Sequence, residues 1–145
     1  MSSGVRELRV WQEAVSLAGD VIRTARHSQR RETRTISEAV MMTALTVASL
    51  IADGYGRHTS IEQRDAYLAA KRALLRLETE LAVARHAELL PAGAFTELTA
   101  RSGQVERLLA GFLAYLEREV KEDALGTRPP RGGDPATLGS GRAPS

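Results

Sequence analysis

The stretch AVMMTALTVASLIA, residues 39–52, contains no charged side chain. The apolar positions in and around it repeat at steps of three and four, which is the spacing of one helix face: Ile36, Val40, Thr43, Val47 and Leu50. A helix with no charge on any side must be buried nearly all round. The stretch therefore predicts a core helix, and its 14 residues fall short of the roughly 20 that cross a bilayer.

Both ends of this helix carry boundary signals. Thr35-Ile36-Ser37-Glu38 has the form of a capping box and predicts the start. Gly54-Tyr55-Gly56 predicts a tight turn, with Gly54 in the left-handed conformation that ends many helices. Asp53 and Arg57 flank this turn, and we expect them to pair across it. A free phosphate contact by Arg57 is the alternative.

Three more segments have the apolar periodicity of amphipathic helices, and only 4% of the residues are aromatic, which favours helix over sheet. They cover about residues 5–27, with Trp11 as a core anchor, then about 59–88 and about 92–123. Four such helices with short connections predict an all-α, antiparallel up-down-up-down four-helix bundle over residues 1–124. The Gly-, Pro- and Arg-rich residues 125–145 are expected to form a disordered tail.

The predicted bundle has too many apolar surface positions for a monomer. Three neighbouring helices cover only part of the uncharged helix, and the third helix carries a second apolar line that includes Leu68 and Leu75. Another subunit is the simplest cover for these faces. We therefore expect a homo-oligomer with an interface at Met41, Leu45, Ala48, Leu68 and Leu75. A thickly packed monomer core is the alternative.

Positive charge is concentrated near the connection between the first two helices. The net charge of +2 permits polyanion binding without requiring it. The arginines near this connection are Arg23, Arg26, Arg30, Arg31 and Arg34. We expect them to contact the RNA or DNA backbone, together with Arg57, Arg72 and Arg76. The alternative is that these side chains only form a solvated surface.

No residue pattern points to catalysis. The chain has no cysteine, and its three histidines, His27, His58 and His86, lie on different segments without the helical spacing of metal ligands. Nucleophile elbows and phosphate-binding glycine loops do not occur in the sequence. We expect a protein that is not an enzyme, holds neither metal nor cofactor and does not enter a membrane. The N-terminal residues do not read as a secretory signal, so a cytoplasmic location is expected.

Three sequence blocks resemble a known bacterial family in the same order. They are VWQEA at residues 10–14, VASLIADGYGR at residues 47–57 and LLRLETELAVA at residues 74–84. The likeness extends over about residues 5–120. The family comprises four-helix-bundle proteins encoded in intervening sequences of large-subunit ribosomal RNA genes, together with the accessory variability determinants of diversity-generating retroelements.

The resemblance implies a ring-like homopentamer with a basic surface. For an accessory variability determinant it further implies binding to a reverse transcriptase and its RNA, in support of mutagenic cDNA synthesis. This chain has Arg72-Ala73 where the family usually has Gly-Ser, Arg76 where it has Glu, and Asp53 where it has Glu. The two added arginines favour a nucleic-acid-binding member. The alternative is an oligomeric scaffold of the ribosomal-RNA-insert type.

Overall fold

The computed structural model describes residues 4–26 and 31–126, and all regular elements in these ranges are helical. Two short 3-10 helices, Gly4–Glu7 and Arg31–Thr33, precede α1 and α2. The four long helices are α1 Arg9–Ala25, α2 Arg34–Tyr55, α3 Ser60–His86 and α4 Ala92–Leu125. The prediction of an all-α chain with four helices is confirmed. The predicted tail lies outside the described residues except for its first two residues, 125 and 126.

The predicted start of α3 near residue 59 is confirmed, and the start signal predicted for α2 is wrong. Thr59 precedes α3, and its hydroxyl accepts a hydrogen bond from the Glu62 backbone N–H at 3.1 Å. At α2 the cap residue is Thr33, whose side chain makes no capping bond. The expected capping box at Thr35 does not form, because the preceding 3-10 turn leads directly into the helix and Thr35 is already helical.

The end of α2 also differs from the prediction. Gly54 is buried inside the helix, which continues to Tyr55, and the cap residue Gly56 has an ordinary φ of −82°. The left-handed cap at Gly54 is therefore wrong, and the chain reverses only after Gly56. In the described residues, left-handed helix ends occur instead at Glu88, after α3, and at Gly126, after α4.

The core lies between the four helices. Packed pairs form between α1 and α2, α2 and α3, α3 and α4, and α1 and α4. The periodic positions of α3 are buried up to Ala84: Tyr67, Ala70, Leu74, Leu77, Leu81 and Ala84. Glu88, which has the same spacing, is exposed beyond the end of α3. Trp11 is half-buried and packs against this core from α1. The apolar periodicity thus identified the inward face of α3 correctly.

Three polar contacts between helices show which residues lie at the same height along the bundle. The Ser60 hydroxyl donates to Glu119 Oε1 at 3.0 Å, at the start of α3 and near the end of α4. The Ser102 hydroxyl donates to Glu78 Oε2 at 2.7 Å, further along the same pair of helices. Arg101 of α4 pairs with Asp20 of α1. Residues 20, 78 and 101 therefore lie at nearly the same height.

Residues Arg31–Tyr55 meet a length and composition criterion for a membrane span, with a mean hydropathy of 1.6. This differs from the expectation that the uncharged run is too short. The core helix of a soluble protein meets the same criterion. In the structure α2 packs against both α1 and α3, and 33% of its apolar window is buried within the protomer.

Candidate nucleic-acid interface

The end of α1 and the start of α2 bring four of the predicted arginines to one end of the bundle. Arg23 and Arg26 lie on the last turn and cap of α1, and Arg31 and Arg34 on the turn that opens α2. We call these four residues the helix-end arginines. All are exposed, and Arg23 pairs with Asp20. Arg26, Arg31 and Arg34 have no ion pair with any described residue, whereas Arg30 lies outside the described residues.

Arg57 is separated from the helix-end arginines by the length of α2. That helix has 22 residues, which corresponds to about 33 Å. Arg57 Nη2 donates to Asp53 Oδ2 at 3.0 Å, and both side chains are about half exposed. The predicted pairing of Asp53 and Arg57 is confirmed, and it reduces the availability of Arg57 for a phosphate.

Arg72 and Arg76 lie near the middle of α3, away from both ends. They line a groove of about 250 Å³ between α2 and α3, together with Thr43, Thr46 and Ala73. Arg76 Nε donates to Glu80 Oε2 at 3.1 Å, on the next turn of the same helix. Arg72 makes no ion pair within the described part of the chain. The arginines predicted from the sequence therefore form three separate sites rather than one patch.

Large apolar side chains are exposed beside Arg72 and Arg76. Leu75 of α3 is 64% exposed, and Met42 and Leu45 of α2 are 62% and 44% exposed. We call the outer surface of α2 and α3 formed by Met42, Leu45, Arg72, Leu75 and Arg76 the α2–α3 face; at its far edge Leu75 lines a groove with Glu106 of α4. The α2–α3 face combines two exposed leucines with methionine and arginine, and the latter two residue types are enriched in protein interfaces.

The residues predicted for the oligomer interface do not all reach this face. Leu45 and Leu75 are exposed, whereas Met41, Ala48 and Leu68 are partly buried, the last two packing against the core. Met42, which is not among the predicted interface residues, is one of the most exposed apolar residues in the described part of the chain. The rotation of α2 therefore presents Met42 outward and turns Ala48 inward.

A family model described as 23S rRNA-intervening sequence protein matches residues 6–111. The chain belongs to this family. A comparison with curated proteins gives no match. The match confirms the resemblance found in the three sequence blocks.

The 23S rRNA-intervening sequence family match covers α1, α2, α3 and the first 20 residues of α4. All eight predicted arginines and the whole α2–α3 face lie inside it. The remainder of α4, residues 112–125, lies beyond the match and includes Glu119, the partner of Ser60.

The structure adds basic residues that the sequence analysis did not select. Arg85 and His86, on the last turn of α3, line an open cleft of about 1110 Å³ with Arg23 and with Glu88 of opposite charge. Arg85 Nη1 donates to the Leu90 carbonyl at 3.3 Å. Basic residues in the last turn of a helix also stabilise its dipole, which is a sufficient explanation for both. In the sequence, their position shortly before Pro91 places them at a predicted helix end, and this could have identified them.

No metal-binding cluster is found in the part of the chain that the structure describes. There, groups of three or more His, Asp or Glu side chains that could hold an ion do not occur. The polar groups of the site are therefore guanidiniums, hydroxyls and carboxylates, which bind partners by ion pairs and hydrogen bonds.

Proposed function

We propose that the protein is a non-catalytic, homo-oligomeric adaptor that binds nucleic acid. We further propose that it acts in the cytoplasm as the accessory protein of a diversity-generating retroelement. In that role it binds the reverse transcriptase and its RNA or DNA and supports mutagenic cDNA synthesis. One observation carries the proposal: the α2–α3 face with its exposed apolar side chains is separate from Arg26, Arg31 and Arg34, which form no ion pair with the described residues. One surface is thus available for assembly and the other for phosphates.

Self-assembly is supported by the exposed apolar residues. Burying Met42, Leu45 and Leu75 against a second copy would remove apolar area from water at about 25 cal/mol per Å². The helix contacts support an up-down-up-down protomer, since each helix packs against its neighbour in sequence and α1 also packs against α4. Such a protomer has unlike opposite faces, and contacts between unlike faces form a ring when the rotation between copies closes and an open filament when it does not. We propose a ring-like assembly, and the family resemblance suggests five subunits.

Nucleic-acid binding is supported by repetition of the helix-end arginines around such a ring. A net charge of +2 per chain is modest. A ring presents Arg26, Arg31 and Arg34 once per subunit, and linked weak contacts reinforce one another. Backbone contacts of this kind bind phosphates with little sequence preference.

An oligomeric scaffold without a nucleic-acid role is the second candidate, and a specific observation favours it. Arg23, Arg57 and Arg76 all pair with carboxylates of their own chain. A reverse transcriptase gene and a template and variable repeat pair beside this gene would support the accessory role over the scaffold.

The test is RNA binding as a function of salt. We would titrate the wild-type oligomer with a mixed-sequence RNA at several salt concentrations. The variant Arg26→Ala/Arg31→Ala/Arg34→Ala should bind more weakly. Its slope of log K against log salt should fall by roughly one unit per lost phosphate contact.

The matched control is Arg6→Ala/Arg9→Ala/Arg118→Ala, which removes the same charge from other exposed positions. We expect this control to keep most of the wild-type slope. Absence of RNA binding by the wild-type protein at low salt would reject the nucleic-acid function in favour of the scaffold. Equal losses in the two triple variants would show only a general charge effect and would reject the helix-end site.

A further inference from the structure

The open cleft between the ends of α1 and α3 and the start of α4 combines charged and apolar surface. Its volume of about 1110 Å³ exceeds the roughly 300–1,000 Å³ of typical ligand pockets, so a nucleotide fits inside it. Arg23, Arg85 and His86 line the cleft with basic groups, and Leu89 and Pro91 contribute apolar surface. A ligand that matches these walls joins an anionic group to an apolar or aromatic one.

Glu88 occupies this cleft against two local preferences. Its φ of 63° is the left-handed conformation that glycine adopts at lower cost. It also lies two residues beyond the end of α3, where the negative end of the helix dipole disfavours a carboxylate. The carboxylate forms no ion pair or hydrogen bond with the described residues, so it caps neither α3 nor α4. Local stability therefore does not explain a glutamate here, and strained residues of this kind cluster where ligands bind.

The basic groups of the cleft keep donors for a ligand. Arg85 Nη1 donates to the Leu90 carbonyl at 3.3 Å, which holds the guanidinium in place, and its other N–H groups bind no described residue. Arg23 pairs with Asp20 and is also one of the helix-end arginines. The cleft is therefore continuous with the surface proposed to bind nucleic acid.

The charges of the cleft favour a nucleotide with hydrogen-bond donors on its base. A phosphate alone would match the arginines but would be repelled by Glu88. A carboxylate accepts two parallel hydrogen bonds, and the Watson–Crick edge of guanine presents two neighbouring donors, N1–H and N2–H. None of the other three common bases presents two neighbouring donors on this edge. In a duplex the edge is already paired, so only an unpaired guanine offers it.

We propose that the cleft binds one unpaired guanine nucleotide of a single-stranded nucleic acid. Arg23 and Arg85 contact its phosphate, and Glu88 accepts hydrogen bonds from N1–H and N2–H of the base. The base lies against Leu89 and Pro91. This inference rests on the proposed nucleic-acid function. It adds a contact with one base to a surface that otherwise contacts only the backbone.

The test compares single-stranded RNAs that differ in one base. We would measure binding of a uridine oligonucleotide with one central guanosine, and of the same strand with adenosine or inosine at that position. The guanosine strand should bind about five- to tenfold more tightly than the adenosine strand, the low end for a two-point base contact because Glu88 is exposed. Inosine lacks the N2 amino group, so its strand should bind with intermediate affinity. A complementary strand that pairs the guanosine should remove the preference.

Glu88→Gln should abolish the preference for guanosine, because the amide has only one acceptor oxygen for two donors. Its binding to the adenosine strand should not be weakened. Glu97→Gln removes the same charge from an exposed position of α4 outside the cleft, so this matched control should keep the preference. Arg85→Ala should weaken binding of both strands alike and lower the salt slope by about one unit. Circular dichroism of each variant establishes that the protomer is folded.

The outcomes separate this site from the proposed function. A wild-type protein that binds no RNA at low salt would reject the nucleic-acid function and this inference together. RNA binding with equal affinity for the guanosine and adenosine strands would reject only the guanine site, as would a preference that persists in Glu88→Gln. An unchanged salt slope in Arg85→Ala would reject the phosphate contact in the cleft.

Discussion

Gly54 of α2 lies directly against the ring of Tyr67 of α3. A Cβ atom at Gly54 would be 2.9 Å from Tyr67 Cε1 and 3.0 Å from Cζ, closer than side chains pack. Both residues are buried, and Tyr67 also stacks on Phe112 of α4 with ring centroids 4.9 Å apart. The glycine therefore permits the close approach of α2 to α3 at this end of the bundle.

Gly54→Ala should lower the free energy of unfolding. Overpacking a buried contact costs about 1–3 kcal/mol. Replacing a helical glycine with alanine gains only about 0.5–1 kcal/mol. Urea unfolding monitored by circular dichroism measures the balance. Gly111→Ala is the control: Gly111 lies inside α4 with nothing within 4 Å of its added Cβ, so that variant should be stabilised. A Gly54→Ala protein as stable as wild type would contradict the packing role.

Stability should fall between about pH 10 and pH 12 because of Tyr67. Burial raises the pKa of Tyr67 from 10.0 to about 12, and the neighbouring Tyr55 adds to the rise. The folded state therefore favours the neutral phenol, and this contribution is complete below pH 10 and lost as the pH approaches 12. A shift of this size corresponds to about 2–3 kcal/mol. Unfolding in urea across this range measures the loss, and ionisation of the three tyrosines can be followed by absorbance.

Tyr67→Phe should remove the alkaline loss with little effect at neutral pH. The Tyr67 hydroxyl is buried without a hydrogen-bond partner among the described residues. Removing it takes away an unsatisfied polar group, so the variant should equal or exceed the wild type by up to about 1 kcal/mol at pH 7. A clear destabilisation at pH 7 would show that the hydroxyl has a partner.

Glu88→Gly should stabilise the protein. Glu88 has a φ of 63°, the left-handed conformation, at the end of α3. The Leu89 N–H donates to the Ala84 carbonyl at 2.9 Å, which completes the usual glycine-type helix end. Relief of the strain should raise the melting temperature by an amount equivalent to about 1 kcal/mol. Ala87→Gly, at an ordinary φ of −82°, is the control and should not be stabilised.

Leu75→Glu should dissociate the assembly without unfolding the protomer. Leu75 is largely exposed in the single chain, so the charge stays in water until a second copy covers it. Light scattering should show a loss of mass, and circular dichroism should show unchanged helix content. Leu125→Glu, at another exposed leucine but at the end of α4, should keep the wild-type mass. Wild-type mass in Leu75→Glu would remove the α2–α3 face from the assembly.

The features that the sequence by itself determined are local along the chain. The core face of α3 and the Asp53–Arg57 pair each depend on residues three or four positions apart. Side chains at this spacing share one helix face, so their relation follows from helix geometry. The four-helix composition followed from the same periodicity.

Only the tertiary structure decided the rotation of α2 and the role of Gly54. A helix without charged residues on any side has no polar face to mark its orientation, so Met42 and Met41 were equivalent in the sequence. The sequence predicts a helix end at Gly54 because the contact with Tyr67, thirteen residues away, does not show in a local pattern. The distribution of the arginines over three sites also depends on the packing of α1, α2 and α3. Contacts between distant segments arise from packing, which local spacing does not encode.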